Sequence, residues 1–460
     1  MKRLLIGVLA LGLSATACSG RSAAPSTGTS TTSTGGAASS ASAGAFGTLQ
    51  NVCHSGTPTA STAQGVTATT INVGTLSDVG FSKNPELGDA AKVFTSWCND
   101  AGGINGRKIV DTVRDSALMQ VPQRILEACP KDFALVGGSA AFDGTGTADR
   151  LKCLLPDYSA QTDMVQATGS DLQVVAYGAG VGYSQYSNYF SWLTKEAYPD
   201  SAANVGIIAG DVPITKVDVA QDTESLTALG SHVGYSDLYP AAGVSDWTPY
   251  AEAIKSKGVK GLVFLGDFRS LAVLEKALDD IGYKLDWIDA NSNAYTPQFI
   301  QLAGTQVLGT QNNYADLGGV FPLEEAASNP ATKQLVDLFA KYAPGEPVTY
   351  PVVRAFSAWL LFATAAGACS DLTRPCVFQN AMKQTAWTGG GLQAPADLSS
   401  VTAQPKCFNV VQAKPAGWVA ADFKPTEGAY RCDTPALKFT GDYGKPLTLA
   451  DVGKSMADFK

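Results

Sequence analysis

The sequence predicts an α/β protein of two lobes, each with a parallel central sheet, preceded by a disordered tether. From about residue 69 onward, β-branched apolar runs alternate with segments of helical periodicity, which is the order of a parallel sheet covered by helices. This alternation occurs in two successive series that divide near Gly180. The residues before the first series are mostly Ser, Thr, Gly and Ala. We therefore expect two similar lobes behind a flexible leader.

The first series defines the first lobe. Short apolar runs bounded by turn residues indicate its strands, and apolar residues three and four positions apart indicate its helices. The strands are predicted at residues 70–74, 108–114, 133–138 and 154–159, and the helices at residues 87–101, 120–129 and 145–152.

The second series repeats the pattern and defines the second lobe. Its strands are predicted at residues 204–210, 235–238, 261–265 and 286–290, and its helices at residues 187–197, 216–231, 249–257 and 270–281. The carboxyl ends of the strands in both lobes are expected to face one crevice.

The chain is expected to cross between the lobes near Gly180 and again near Asn313, which makes the first lobe discontinuous. After the second crossing it adds the helix 352–368 to the first lobe. The predicted bounds are 67–182 with 318–390 for the first lobe, 183–317 for the second, and 391–460 for an extension that packs on the second lobe or the hinge.

The N-terminus has the pattern of a lipoprotein signal peptide over residues 1–17. Lys2 and Arg3 precede an apolar run, and small residues lead directly into Cys18. This run is too short to span a bilayer, so we expect acylation of Cys18 to anchor the chain to the cell membrane. The alternative is an ordinary signal peptide with an incidental cysteine. Residues 18–66 are predicted to be the tether, because their composition cannot bury enough apolar surface to offset the entropy of ordering.

Composition narrows the class of protein. Because 45% of the residues are hydrophobic, we expect globular domains with large cores. The formal net charge is −8, and no basic patch suggests binding to nucleic acid. The longest apolar stretch of the mature part, residues 355–368, is shorter than the roughly 18 residues that a spanning helix needs. We therefore interpret it as a core helix.

The chain has nine cysteines, and an even number remains when Cys18 is set aside. An even count in an exported protein favours disulfides over a metal site, since there is no Cys-x-x-Cys and the chain has only two histidines. The sequence cannot fix one connectivity among 105 possibilities. Short loops favour Cys369 with Cys376, Cys407 with Cys432 and Cys129 with Cys153, which leaves Cys53 for Cys98.

Several segments together resemble one family. INVGTLS at 71–77, NDAGGINGRKI at 99–109, VGGS at 136–139 and SDWT at 245–248 are similar to segments of the type I periplasmic binding proteins of branched-chain amino acid ABC transporters, the Leu/Ile/Val-binding protein-like family. The resemblance covers roughly residues 70–368. It implies two Rossmann-like lobes that close on a small solute about a hinge and present it to an ABC permease in the membrane.

The candidate ligand-binding residues lie in loops after the strands. In the first lobe, backbone N–H groups at strand ends and helix N-termini suit a ligand carboxylate. The first-lobe candidates are Phe81, Ser139, Ala140, Ala141, Ser159 and Ala160, with a strand-end cap as the alternative role of Ser159.

In the second lobe, the resemblance implies aromatic residues and an acid that pairs with a ligand ammonium. The loops carry Asp267, Phe268, Asn291 and Asn293. The acid that the family places near Asn291 is missing, whereas Asp267 is new, so a changed ligand is expected. Asp267 either pairs with an amine or caps the following helix.

The expected function is capture of a small polar solute, such as an amino acid, an amide or a small carboxylate, outside the cytoplasm. We expect a monomer without catalytic residues, cofactor or metal. GGSAA at 137–141 is one residue short of a nucleophile elbow, and the glycines at 178–182 do not lie between a strand and a helix. The alternatives are a ligand-sensing receptor coupled to a membrane signalling partner, and a cell-wall hydrolase or adhesion module.

Overall fold

A computed structural model describes residues 44–58 and 63–460, and lobe 1 is built on a five-stranded parallel sheet. The strands are β1 (Thr70–Ser77), β2 (Lys108–Asp115), β3 (Ala134–Val136), β4 (Asp157–Ser159) and β5 (Gln173–Val175), in the order β2-β1-β3-β4-β5. The helices between them are α1 (Val79–Ser82), α2 (Glu86–Asp100), α3 (Val121–Ala128) and α4 (Gly144–Lys152). The predicted strand–helix alternation is confirmed.

Lobe 2 repeats this arrangement. Its strands are β6 (Val205–Gly210), β7 (Val233–Tyr239), β8 (Gly261–Leu265), β9 (Trp287–Asp289) and β10 (Asn313–Asp316), all parallel. Its helices are α5 (Ser187–Ser191), α6 (Pro213–Ala228), α7 (Thr248–Ser256), α8 (Phe268–Asp280) and α9 (Pro297–Thr310). The helix predicted over 187–197 is α5 continued by a π-helical segment at Trp192–Ala197.

After β10 the chain returns to lobe 1 with α10 (Pro330–Tyr342), α11 (Tyr350–Gly367) and α12 (Arg374–Met382). Helix α11 packs on α2, β3 and β4, and Phe356 and Trp359 on it are fully buried. Their rings contact Phe94 at centroid distances of 5.3 Å. The apolar stretch therefore forms a core helix, as its length predicted. In the described part of the chain, no helix combines the length and apolarity that crossing a membrane requires.

The C-terminal extension contacts both lobes. Strands β11 (Val410–Lys414) and β12 (Gly417–Ala420) join the lobe 2 sheet antiparallel to β10, giving the order β12-β11-β10-β9-β8-β6-β7. The last residues leave lobe 2, and Leu449 and Phe459 pack with Leu151 of lobe 1. This return to lobe 1 has no signal in the sequence, because the apolar residues that make it are isolated and follow no period.

The tether expected over residues 18–66 is wrong for its C-terminal part. Phe46 is fully buried and its ring lies 5.1 Å from that of Phe356, and Cys53 forms a disulfide with Cys98 of α2. A few apolar residues and one covalent bond thus hold residues 44–58 on lobe 1 despite a composition typical of disorder. The signal peptide, Cys18 and the rest of the expected tether before residue 44 lie outside the described residues.

The three cysteine pairs that short loops favoured, and the fourth pair that they left, are confirmed. Cys53–Cys98, Cys129–Cys153, Cys369–Cys376 and Cys407–Cys432 are bonded. The first three cross-link parts of lobe 1, and the fourth closes a loop of the extension beside β11.

Candidate functional site

A cavity of about 180 Å³ lies between the lobes at the carboxyl ends of the lobe 1 strands. Among the predicted residues, Ser139, Ala140, Ala141 and Ala160 line it from lobe 1, and Asn293 lines it from lobe 2. Ser77, Asp78, Glu86, Gln161 and Arg354, which sequence reasoning did not select, also line it. The predicted crevice is therefore present, with a more strongly charged wall than expected.

A tight turn after β3 places the Ser139 loop in the cleft. Gly137 has φ 65, a left-handed conformation that favours glycine, and a Cβ there would lie 2.4 Å from Nε1 of Trp359. The strand predicted over 133–138 ends early for this reason. The hydroxyl of Ser139 then donates to Oδ2 of Asp163 at 3.3 Å.

The backbone N–H of Ala141 is already occupied. It donates to Oδ2 of Asp78 at 2.8 Å, while Oδ1 of Asp78 accepts from the N–H of Leu118 at 2.8 Å and from the hydroxyl of Ser116. The expectation that Ala141 offers its N–H to a ligand carboxylate is therefore wrong for this structure. A side-chain carboxylate from the end of β1 takes the place that the resemblance implied for the ligand.

Arg354 is the cation of the cleft wall. Its Nη1 donates to Oη of Tyr350 at 2.9 Å, and its guanidinium lies 4.5 Å from the ring centre of Tyr177. Its Nε is buried and makes no hydrogen bond, and neither does the buried hydroxyl of Tyr177. No ion pair to Arg354 is found among the described residues. Arg354 is the one charged residue in the predicted helix 352–368. A lone charge in an otherwise apolar helix could have identified it from the sequence as a functional residue.

Several carboxylates of both lobes have raised pKa values. From lobe 2, Asp218 and Asp222 lie one turn apart on α6, and Asp289 and Asp316 lie at the ends of β9 and β10. Asp289 accepts hydrogen bonds from the hydroxyl of Tyr189 at 3.3 Å and the N–H of Asn291 at 3.1 Å. Burial raises the pKa of each of the three carboxyls Asp218, Asp289 and Asp316 to about 7.

In lobe 1, the carboxyl group of Asp163 also has a raised pKa. It accepts a hydrogen bond from Nε2 of Gln161 at 2.9 Å. Burial raises its pKa, whereas the hydrogen bonds from Gln161 and Ser139 and the charge of Arg354 lower it. Besides burial, the charge of Asp163 raises the pKa of Asp218 on the opposite lobe.

Two predicted residues are engaged inside their own lobes. Ser159 is 2% exposed, donates to Oδ2 of Asp157 at 2.7 Å and accepts from Nε2 of Gln173 at 3.2 Å. Asp267 is the N-cap of α8, accepts from the N–H of Arg269 at 2.8 Å and pairs with its guanidinium at 3.1 Å. The structure thus supports the cap interpretation for Asp267.

The remaining predicted residues also lie outside the cavity lining. Phe81 is 63% exposed on α1. Phe268 is partly buried against the core, with Arg269 over its ring at 4.7 Å. Asn291 accepts the N–H of Asn293 at 3.0 Å, which turns the loop after β9 so that Asn293 reaches the cavity.

Comparison with known families gives one match. The family model described as periplasmic binding protein matches residues 70–417. Among curated protein sequences, none matches this chain.

Solved structures of similar fold cover most of the chain. A fatty acid ABC transporter substrate-binding protein from Thermomonospora curvata has a TM-score of 0.64 and 17% identity, over 84% of this chain and 97% of that one. A leucine binding protein from Thermotoga maritima has a TM-score of 0.61 and 13% identity, over 76% and 97%. A branched-chain amino acid transporter substrate binding protein from Streptococcus pneumoniae, in complex with isoleucine, has a TM-score of 0.59 and 14% identity, over 76% and 100%. At these identities the similarity concerns the fold.

Proposed function

Because this chain belongs to the periplasmic binding protein family, whose members work outside the cytoplasm, we propose that it is the solute-binding component of an ABC importer. In this proposal Cys18 carries the lipid anchor that keeps the protein beside its permease. The lobes close about the hinge on a small polar solute and present the liganded form to the permease.

The observation that carries the proposal is the state of Arg354. A buried charge is costly unless it is paired and hydrogen-bonded, yet the Nε of Arg354 has no acceptor. Because the guanidinium lines the interlobe cavity, an acceptor oxygen of a bound solute can complete its hydrogen bonds. The guanidinium group of arginine presents coplanar N–H donors that can bind both oxygens of a carboxylate.

The connections between the lobes support hinge closure. The segment 178–182 joins β5 to α5 and has glycines with positive φ at Gly178, Gly180 and Gly182. The chain crosses back after β10 and crosses again into β11. Loops of this kind absorb the backbone rotation of a hinge while the packed lobes move as rigid bodies.

The fatty acid named for the Thermomonospora curvata protein does not suit this cavity. An acyl chain needs a long, predominantly apolar cavity, whereas this cavity is only about 180 Å³, and Asp78, Glu86, Gln161 and Arg354 stand among its apolar residues. We therefore propose a polar solute for this chain.

The test is a thermal-shift screen of the purified protein against amino acids, amides, urea and small carboxylates, followed by calorimetry. A solute at 100 times its Kd stabilises the folded state by about 2.7 kcal/mol, so binding gives a clear rise in Tm.

Arg354→Gln should lower the affinity for the identified solute at least tenfold, and Arg354→Lys should recover part of the affinity. Arg269→Gln is the matched control, since Arg269 is exposed on α8. Absence of binding by every solute in the screen would refute the proposed function.

A further inference from the structure

We propose that residues 440–449 form a strap that crosses from lobe 2 to lobe 1 and limits how far the two lobes open. The family model matches the chain only to residue 417, so the strap lies beyond the part of the chain that carries the family resemblance. The inference concerns the protein without solute and does not depend on which solute it binds.

The lobe 2 end of the strap is held by Glu224 on α6. Its carboxylate accepts hydrogen bonds from the N–H of Thr440 at 2.6 Å, from the N–H of Gly441 at 3.1 Å and from the hydroxyl of Tyr443 at 2.5 Å. The hydroxyl of Tyr443 also lies 3.2 Å from the carbonyl oxygen of Ala220 on the same helix. Hydrogen bonds to a charged acceptor are stronger than neutral ones, so this end is fixed to α6.

The other end of the strap is held by lobe 1. The N–H of Leu447 donates to the carbonyl of Gln166 at 3.1 Å, and the carbonyl of Leu447 accepts from the N–H of Asp171 at 3.1 Å. The N–H of Leu449 donates to Oδ2 of Asp171 at 2.7 Å. The side chain of Leu449 is 2% exposed and packs with Leu151. Hydrogen bonding and apolar burial therefore fix this end to lobe 1.

The crossing between the two ends is short, since it consists of residues 444–446. Gly444 has a positive φ of 91°, and a Cβ there would lie 3.2 Å from Cγ2 of Val165 of lobe 1. A chain extends by at most about 3.6 Å per residue, so the Cα atoms of Tyr443 and Leu447 can separate by no more than about 14 Å while both ends hold.

The strap begins beside the hinge. The N–H of Phe439 donates to the carbonyl of Gly182 at 2.9 Å, within the segment 178–182 that joins the lobes. The strap thus adds a fourth chain crossing to the three already described. It is engaged in a conformation in which Asn293 of lobe 2 and Ser139 of lobe 1 line one cavity. Wider opening would break the hydrogen bonds of one end, so the strap favours this conformation.

A restraint on opening also affects solute binding. When fewer open conformations are populated, a solute that binds the closed form loses less free energy to closure. Release of the strap should therefore weaken solute binding without changing any residue of the cavity lining.

The experiment lengthens the strap and leaves both of its ends intact. Six Gly/Ser residues inserted after the exposed Lys445 add about 20 Å of reach. The distance between the lobes is measured by double electron–electron resonance, without solute, between spin labels at Lys92→Cys on α2 and Lys257→Cys just after α7, both exposed. The background is Cys18→Ser, in which the remaining native cysteines are paired in disulfides.

The insertion should move the mean distance between the labels to a larger value, by about 5 Å or more of the added reach, and broaden its distribution. Glu224→Ala, which releases the lobe 2 end, should act in the same direction. The same insertion after Gly345, in an exposed loop within lobe 1, is the control and should leave the distances unchanged.

Unchanged distances in the strap insertion variant would overturn the inference, whatever the solute screen shows. Failure of every solute to bind would refute the proposed function, whereas a widened distribution would still support the strap. For a solute identified in the screen, calorimetry should give a lower affinity in the strap insertion variant than in the control insertion variant. Equal affinities would overturn the link between the strap and solute binding.

Discussion

The carboxylate of Asp78, just after β1, accepts a hydrogen bond from the backbone N–H of Ala141 at 2.8 Å. This N–H, which lies shortly before α4, is therefore not available to a ligand. The same carboxylate also accepts from Ser116 and from the N–H of Leu118. It therefore joins three loops at the rim of lobe 1 and contributes a negative charge to the cavity wall.

Asp78→Asn should destabilise the protein by about 1–3 kcal/mol, the usual cost of leaving a partly buried donor without its acceptor. An asparagine retains one acceptor oxygen and presents an N–H to one of the three donors. The free energy of unfolding in urea measures the effect. Asp280→Asn is the control, because Asp280 is exposed and pairs only with Lys276 on the same helix, and it should change stability by less than about 0.5 kcal/mol. Equal effects of the two variants would contradict the bridging role of Asp78.

Loss of the Cys53–Cys98 bond should destabilise the protein more than loss of the Cys369–Cys376 bond. Their sequence separations are 45 and 7, for which the chain-entropy model gives about 4 and about 2.4 kcal/mol. Paired Cys→Ser variants compared by urea unfolding measure the difference. A larger loss from the short-loop pair would show that constraint of the unfolded chain does not dominate here.

The buried aspartates predict a pH dependence of stability. The pKa values of Asp218 and Asp289 are raised to about 7 in the folded protein, so the folded state binds protons that the unfolded state releases near pH 4. The stability that this proton binding contributes is fully present below about pH 4 and is lost as the pH rises through about 7. Asp163, Asp222 and Asp316, with raised pKa values of their own, act in the same direction.

Asp218→Asn should therefore raise Tm relative to the unmodified protein at pH 8, with the difference shrinking toward pH 5, in buffer free of amines. Differential scanning calorimetry across this pH range checks it, with Glu252→Gln as the exposed control. A difference in Tm that does not change with pH would mean that Asp218 is not protonated by folding.

Glu224 on α6 holds the C-terminal segment on lobe 2. Its carboxylate accepts from the N–H and hydroxyl of Thr440 at 2.6 and 2.8 Å, from the N–H of Gly441 at 3.1 Å and from the hydroxyl of Tyr443 at 2.5 Å. The hydrogen bond from Tyr443, followed by that from the N–H of Thr440, lowers the pKa of Glu224 to about 2. This contact is present at neutral pH and is lost only as the pH falls through about 2.

Glu224→Ala should speed hydrogen exchange of the Thr440 and Gly441 amides by about tenfold or more, which corresponds to about 1.4 kcal/mol of local stability. Mass spectrometry of peptides over 437–445 measures the exchange. Glu427→Ala, an exposed position in the same extension, should leave it unchanged. Unaltered exchange in the Glu224 variant would show that the other contacts of the segment, such as the N–H of Phe439 with the carbonyl of Gly182 and the N–H of Leu447 with that of Gln166, are sufficient to hold it.

Prediction from the sequence succeeded where a residue's role depends on its near neighbours. Strand β8 was predicted with its observed bounds, Gly261–Leu265, because a buried parallel strand is a continuous apolar run between turn residues. The core helix α11 and three of the four disulfides followed from local length and spacing, and Cys53–Cys98 was the pair that remained. The candidate site was predicted less well, because the N–H of Ala141 is taken by Asp78, 63 residues earlier in the chain, and no local pattern indicates that contact.

The sequence by itself determined the two-lobed α/β architecture and the position of the crevice, and it favoured the three short-loop cysteine pairs, since these follow from hydrophobic periodicity and short-range spacing. Only the tertiary structure decided that Phe46 and Cys53 pack on lobe 1, that the last residues return to lobe 1, and that Asp78 occupies the N–H of Ala141. It also decided that Arg354 lines the cleft with its Nε lacking an acceptor. The physical reason is that pairing, burial and charge coupling are properties of neighbours in space, and here those neighbours come from different lobes and distant parts of the chain.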